Sequence, residues 1–189
     1  MILIKDDFLP KEAFKDLQEY CKEHDFQIVT AGDKEFSVLE TPRTFLDFFR
    51  LDGYELVLTF IRSAHKNFDT DHRIHADNII NGHKTELASV LYINEEDEVS
   101  ENGTAFFKHV THGRELGKDV TAEEFDRLIT EDSNDLSKWK MTDKISAVPN
   151  RQLLYSSNYF HAKHPNVIEF GERRVLVCFY SKKENQIGK

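Results

Sequence analysis

The chain has 189 residues, enough for one domain with a sizeable core and too few for two ordinary ones. Hydrophobic residues at 39% and charged residues at 31% exclude a disordered chain. A formal net charge of −9 argues against duplex nucleic acid as a partner, because neutralising phosphates needs a basic face.

Met1 to Asp7 becomes charged too early for a secretory signal. Residues 10–24 have helical periodicity: Pro10 suits the first turn, and Phe14, Leu17 and Cys21 recur on one face. Thr41 and Pro42 can cap and start a second, shorter helix carrying Phe45, Phe48 and Phe49. In 55–63 the spacing of Val57, Leu58 and Ile61 fits a helix, but the β-branched and aromatic run favours a buried strand. Short strands follow at 73–78, 86–93, 104–110, 144–148, 151–156 and 173–180. They are interrupted by a polar insert at about 111–143, in which Thr121 and Glu124 form a capping box and Phe125, Leu128 and Ile129 a helical face. A connection of that length points to a lid or binding element. Helices first and strands afterwards predict a mainly β fold, a jelly roll or double-stranded β-helix buttressed by amino-terminal helices, spanning 1–189 as one domain. Cys21 and Cys178, far apart, are the only cysteines, and the longest apolar run, Val175 to Tyr180, has a strand's length. A cytoplasmic protein with no membrane span and no nucleic-acid partner is expected.

His75-Ala76-Asp77 is the chain's only H-x-D or H-x-E. On a strand, alternate residues share a face, so imidazole and carboxylate would project side by side. Two such ligands and one distant His make the facial triad of non-haem iron(II) sites. Further on, the apolar Leu153-Leu154-Tyr155 and a turn precede His161, and Arg173 opens the apolar strand 173–180 twelve residues later. A cation at such a place is costly to bury without an anion, and its planar fork suits a carboxylate. Arg174 reads equally well as a surface residue.

Taken together, these segments resemble the 2-oxoglutarate/iron(II) oxygenase superfamily, in its prolyl-hydroxylase-like branch. Ile4 to Leu9 followed by a helix is similar to that branch's opening, and His75-Ala76-Asp77-Asn78 to its H-x-D strand. Leu91-Tyr92-Ile93-Asn94 resembles the next strand, and Asn102-Gly103-Thr104-Ala105-Phe106 the glycine-turn strand after it. Asn150 to Tyr155, His161 and Gly171-Glu172-Arg173 resemble the distal His and arginine segment. The resemblance implies iron(II) on His75, Asp77 and His161, with 2-oxoglutarate held by Arg173 and Tyr92 and O2 as co-substrate. The implied reaction is hydroxylation of a small-molecule or peptide substrate with release of succinate and CO2. The family's interval from distal His to basic residue is about ten residues, close to two strands and a turn. Here His164 to Arg174 has that interval, whereas local context favours His161 and Arg173.

Two rival readings stand beside it. His72, His75, His161 and His164 could form a nitrogen-rich zinc or nickel site in a jelly-roll module without redox activity. Alternatively, the acidic stretch 95–101 could serve a partner-binding domain, although such runs are more often solvated loops.

Overall fold

The computed structural model describes residues 1–31, 34–69, 71, 73–95 and 101–183. Helix α1 (Lys11–Glu23) starts directly after Pro10, whose missing N–H costs nothing there, and buries Leu17 and Cys21. Full burial of Leu17 contributes about 1.5–3 kcal/mol. The Phe-rich segment becomes a 3-10 helix, Arg43–Phe49, burying Phe45 and Phe49.

Two sheets face one another. The larger contains β1 (Ile2–Lys5), β2 (Gln27–Ala31), β3 (Lys34–Glu40), β4 (Tyr54–Ala64), β7 (Leu87–Tyr92), β10 (Gln152–Ser156) and β12 (Arg173–Lys182), in the order β1-β10-β7-β12-β4-β3-β2. The smaller has β11 (His161–His164), β8 (Gly103–His109) and β9 (Trp139–Ile145), in that order, and the two-residue strands β5 (Ile79–Ile80) and β6 (His83–Lys84) pair separately. All paired strands are antiparallel, as in a jelly roll, and the amino-terminal helices buttress the outer face of the large sheet. Strand alternation separates the faces. Leu87, Leu91, Leu176 and Cys178 pack with Leu17 and Phe49, whereas Val90, Tyr92, Val175, Val177 and Phe179 join Phe106 of the small sheet. Among the described residues no helix is long and apolar enough to cross a membrane.

Three expectations change. Residues 73–78 form no strand, only an isolated bridge between His75 and His161. Their amides go to three different places: Ile74 N–H to Ser133, His75 N–H to His161 and Asp77 N–H to Ser157. The alternation that motivated the reading survives at the small cavity, which His75 and Asp77 line and Ile74 does not; Ile74 joins the apolar cluster of Phe107 and Leu128. The strand expected at 144–148 lies at Trp139–Ile145 instead, because its Lys140, Met141 and Thr142 are exposed on a sheet edge and carry little hydrophobic pattern. The hairpin β2–β3, for which the sequence reading offered no element, covers 27–40 apart from residues 32 and 33.

The insert packs on the small sheet and also lines the cavity that holds His75 and Asp77, through Ile129 and Ser133. Its helix α2 (Ala122–Thr130) has the expected capping box between Thr121 and Glu124. Leu116, Leu128 and Trp139 then close over Ala105, Phe107 and Ala162 on the outer face of the small sheet. Buried His109 ties the segment down: its Nε2–H meets Asp132 at 3.1 Å, while its Nδ1 accepts the amides of Thr111 and His112, each at 3.2 Å. Protonating Nδ1 would break both amide contacts. Burial pulls the imidazole below its ordinary range, against the charge of Asp132 and with help from His112. In the window between that lowered value and about 6.5, the unfolded chain binds the proton and the folded one does not, so stability falls as pH drops. Thermal melts should show this loss below about pH 6.5, with a slope of at most about 1.4 kcal/mol per pH unit, the limit for one proton. His109→Gln should show less of it; an identical pH response in the two proteins would remove His109 from the account.

Candidate metal centre

The bridge between His75 and His161 is reciprocal: His75 N–H donates to the carbonyl of His161 at 3.0 Å and His161 N–H to that of His75 at 2.9 Å. This fixes the two imidazoles side by side, ring centroids 4.6 Å apart. Asp77, two residues along, is set by its amide bond to Ser157 at 2.7 Å and by the Thr85 hydroxyl on its carbonyl. The ligand atoms of His75, Asp77 and His161 lie within 4.8 Å of one another, the sole such group among the described residues. His75 Nε2 is 3.5 Å from Asp77 Oδ1, and His161 Nε2 is 3.1 Å from Asp77 Oδ2.

The protonation pattern suits a cation. Each imidazole donates its Nδ1–H to a carbonyl 2.9 Å away, that of Arg73 for His75 and of Tyr159 for His161. Both Nε2 atoms therefore face the carboxylate, the arrangement by which outer partners orient metal-binding histidines. Burial, the largest influence, pushes the Asp77 carboxyl up, but His161, His75 and the Tyr155 hydroxyl together hold it below the usual carboxylate range. Burial and the neighbouring His161 lower His75 despite Asp77. Two imidazole nitrogens and one carboxylate lining one cavity form a donor set that fits a divalent transition metal with coordination positions left open.

Tyr155 was not singled out by sequence. It sits on the inner face of β10, with its hydroxyl 3.0 Å from His161 Nε2 and 3.4 Å from Asp77 Oδ2. Burial and the Asp77 charge raise its pKa well above the ordinary value, so it stays a phenol able to donate.

Arg173 lines the same small cavity, of about 80 Å³, as His75, Asp77 and His161. It is buried at 6% exposure, yet its hydrogen bonds go to the Gly103 carbonyl (3.0 Å) and the Thr104 hydroxyl (3.1 Å), with no carboxylate paired to it among the described residues. A side chain at Gly103 would collide with the carbonyl of Ile145, 1.9 Å from its Cβ, so glycine is what lets β8 and β9 close here. Tyr92 donates to Thr104 Oγ1 at 2.7 Å, and its ring lies 5.8 Å from the guanidinium. Lys163, two residues from His161 on the same strand, also lines this cavity and donates to the Asp69 carbonyl at 2.6 Å; burial, more than the opposing Asp69, lowers its pKa to about 8. The sequence reading missed Lys163 and Thr104. Strand alternation from His161 was the signal for the first.

That alternation also separates the paired alternatives. His161 and Lys163 line the cavity, while His164 does not; Arg173 does, while Arg174 turns to Glu172 at 2.6 Å. His72 of the rival histidine cluster lies outside the described residues, as do 96–100 of the acidic stretch. His161→Ala should therefore lose metal binding and turnover, and His164→Ala should keep metal with at most a partial effect. A paired iron(II)-binding measurement giving the reverse would transfer the ligand role to His164.

Comparison with known proteins adds the fold's context. Residues 46–166 match the sequence profile of a family described as "Family of unknown function (DUF6445)". No curated protein matches. Among solved structures, the chain is similar to HygX from Streptomyces hygroscopicus, solved with nickel, 2-oxoglutarate and hygromycin B. That match has 11% identity and TM-score 0.57, and covers 96% of this chain and 83% of that one. It is also similar to SnoK, an alpha-ketoglutarate-dependent carbocyclase from nogalamycin biosynthesis, at 9% identity and TM-score 0.61, covering 95% and 78%. A Pseudomonas putida prolyl-4-hydroxylase matches at 12% identity and TM-score 0.52, covering 97% and 93%. At such identities the likeness is one of fold.

Proposed function

The chain belongs to the DUF6445 family, whose profile matches more than half of it, and we propose that it is an iron(II)- and 2-oxoglutarate-dependent oxygenase, acting as a hydroxylase. The observation that carries this reading is the pairing, in one cavity, of a His-Asp-His donor set with a buried arginine that has no carboxylate partner among the described residues. The structural neighbours solved with 2-oxoglutarate and nickel, or with iron, support it at the level of fold. Residues 1–189 are taken as one catalytic domain.

In this reading His75, Asp77 and His161 hold the metal, and Arg173 receives the distal carboxylate of 2-oxoglutarate. Bound there, iron(II) supplies dioxygen activation coupled to oxidative decarboxylation of the co-substrate to succinate and CO2. The protein does the positioning. Thr104 Oγ1 already accepts from Tyr92 and Arg173, so its own hydroxyl proton is left to donate to the same carboxylate. Tyr92 thus acts by holding Thr104 and by lying beside the guanidinium. Lys163 adds a second cation to that end of the cavity. Tyr155, on β10 of the large sheet, holds Asp77 through its hydroxyl.

Anaerobic addition of iron(II) and then 2-oxoglutarate should produce the weak visible charge-transfer band of the chelate. Tight zinc binding with no such band and no succinate in air would favour the non-redox metal-binding module instead.

A further inference from the structure

A second, larger cavity of about 630 Å³ opens on the metal centre, sharing His75 and Asp77 with the small one. Its volume lies within the roughly 300–1,000 Å³ of small-molecule sites. Val38, Leu58, Phe60 and Phe179 of the large sheet form one wall, and Ile74 and Ile129 stand opposite. Two features of this wall restrict what it accepts.

The first is that its charges are already used. Arg62 makes a two-point contact with Asp69 and lies over the Phe36 ring, 4.7 Å from its centroid. Arg73 makes another with Asp71, at 2.9 and 3.1 Å. Of the described charged residues lining this cavity, that leaves only His75 and Asp77, the candidate metal ligands. A ligand phosphate or carboxylate would meet guanidinium groups whose charge an aspartate already neutralises through Nε and Nη2. An ammonium would meet no carboxylate outside these forks but Asp77, so burying either charge here is costly. The second is that apolar side chains continue to the rim, where Val29 is 42% and Ile79 61% exposed. Exposed apolar residues at a cavity mouth mark a binding surface.

We propose that this cavity is the substrate site and that its substrate is a small molecule with an uncharged, largely apolar body. The role as substrate rests on the oxygenase reading; the affinity for uncharged apolar ligands does not. The apolar walls take the body out of water, and the His75–Asp77 edge places one end of it beside the metal position. Asn81, exposed at the cavity lining, provides an uncharged polar group for a ligand hydroxyl or carbonyl.

The test uses the full chain without metal and the neutral fluorophore N-phenyl-1-naphthylamine. Wild type should bind it with enhanced fluorescence, and decanol should displace it at least about tenfold more effectively than decanoate or decyl phosphate. Leu58→Gln, at a half-buried position, should bind the probe at least about tenfold more weakly while melting like wild type. If that variant fails to fold, Val29→Gln at the exposed rim serves in its place. No probe binding, stronger displacement by the charged decyl compounds, or unchanged affinity in the folded variants would overturn the assignment. Displacement by capped apolar peptides but not by decanol would make the occupant a protein segment and would overturn it as well. Iron(II) titration of the same samples reads the oxygenase assignment alone: probe binding without iron binding removes that reading and leaves the apolar cavity standing, whereas iron binding without probe binding does the opposite.

Discussion

Asp77→Ala is expected to abolish tight iron(II) binding, weakening it by more than the roughly 10- to 100-fold that loss of an outer-shell partner costs, and with it all succinate formation. Asp77 is the only anion in the donor set, and its two oxygens face the two histidine nitrogens at 3.5 and 3.1 Å. The variant should still fold, because the backbone at this position is held through Ser157 and Thr85 rather than through the carboxylate. Removing the side chain takes away the carboxylate's desolvation cost together with its contacts to His161, His75 and Tyr155, so the apo protein should melt near the wild-type temperature. Anaerobic titration with iron(II), followed by a succinate assay in air, checks both halves. A well-folded Asp77→Ala protein with wild-type iron affinity would end the case for this triad.

Arg173→Leu is expected to weaken 2-oxoglutarate about 10- to 100-fold while leaving iron affinity in place, since a hydrogen bond to a charged group contributes about 1.5–3 kcal/mol. The substitution keeps bulk on the inner face of β12 but takes away the guanidinium. The Gly103 carbonyl and the Thr104 hydroxyl each lose a donor, which destabilises; the desolvation cost of the buried cation disappears, which stabilises. These offset to within about 1 kcal/mol, so affinity and stability should separate. Titrating the iron-loaded variant through its charge-transfer band measures the first, and thermal melting the second. Unchanged 2-oxoglutarate affinity would move the carboxylate grip to another cation lining the cavity, Lys163 first because Arg62 and Arg73 are each paired in a fork with an aspartate.

The structure shows which parts of the fold are legible locally. Helix α1, strands β7, β8, β10 and β12 and the Thr121–Glu124 box were readable because each depends on short-range rules: a periodic apolar face, a β-branched run, a side chain reaching back to its own backbone. Strand β9 was displaced in the reading because an edge strand with solvent on its side chains has little pattern to show. The packing of the insert on Ala105, Phe107 and Ala162 was not legible because these partners belong to distant strands.

By itself the sequence determined that His75 and Asp77 share one face, since alternation in extended chain needs no partner, and that a cation opens the last apolar strand. Only the tertiary structure shows that His161 and Arg173, rather than His164 and Arg174, line the small cavity. Shifting a strand's register by one residue turns every side chain to the other face, and the short polar segment 161–164 has little hydrophobic pattern of its own to fix that register. Here β11 pairs His161 with Phe106 and Lys163 with Thr104, and β12 pairs Val175 with Tyr92, which sends His161, Lys163 and Arg173 inward. Pairing across strands far apart in the chain also assembled the apolar wall of the larger cavity, whereas its two ion pairs, Arg62–Asp69 and Arg73–Asp71, are local in sequence.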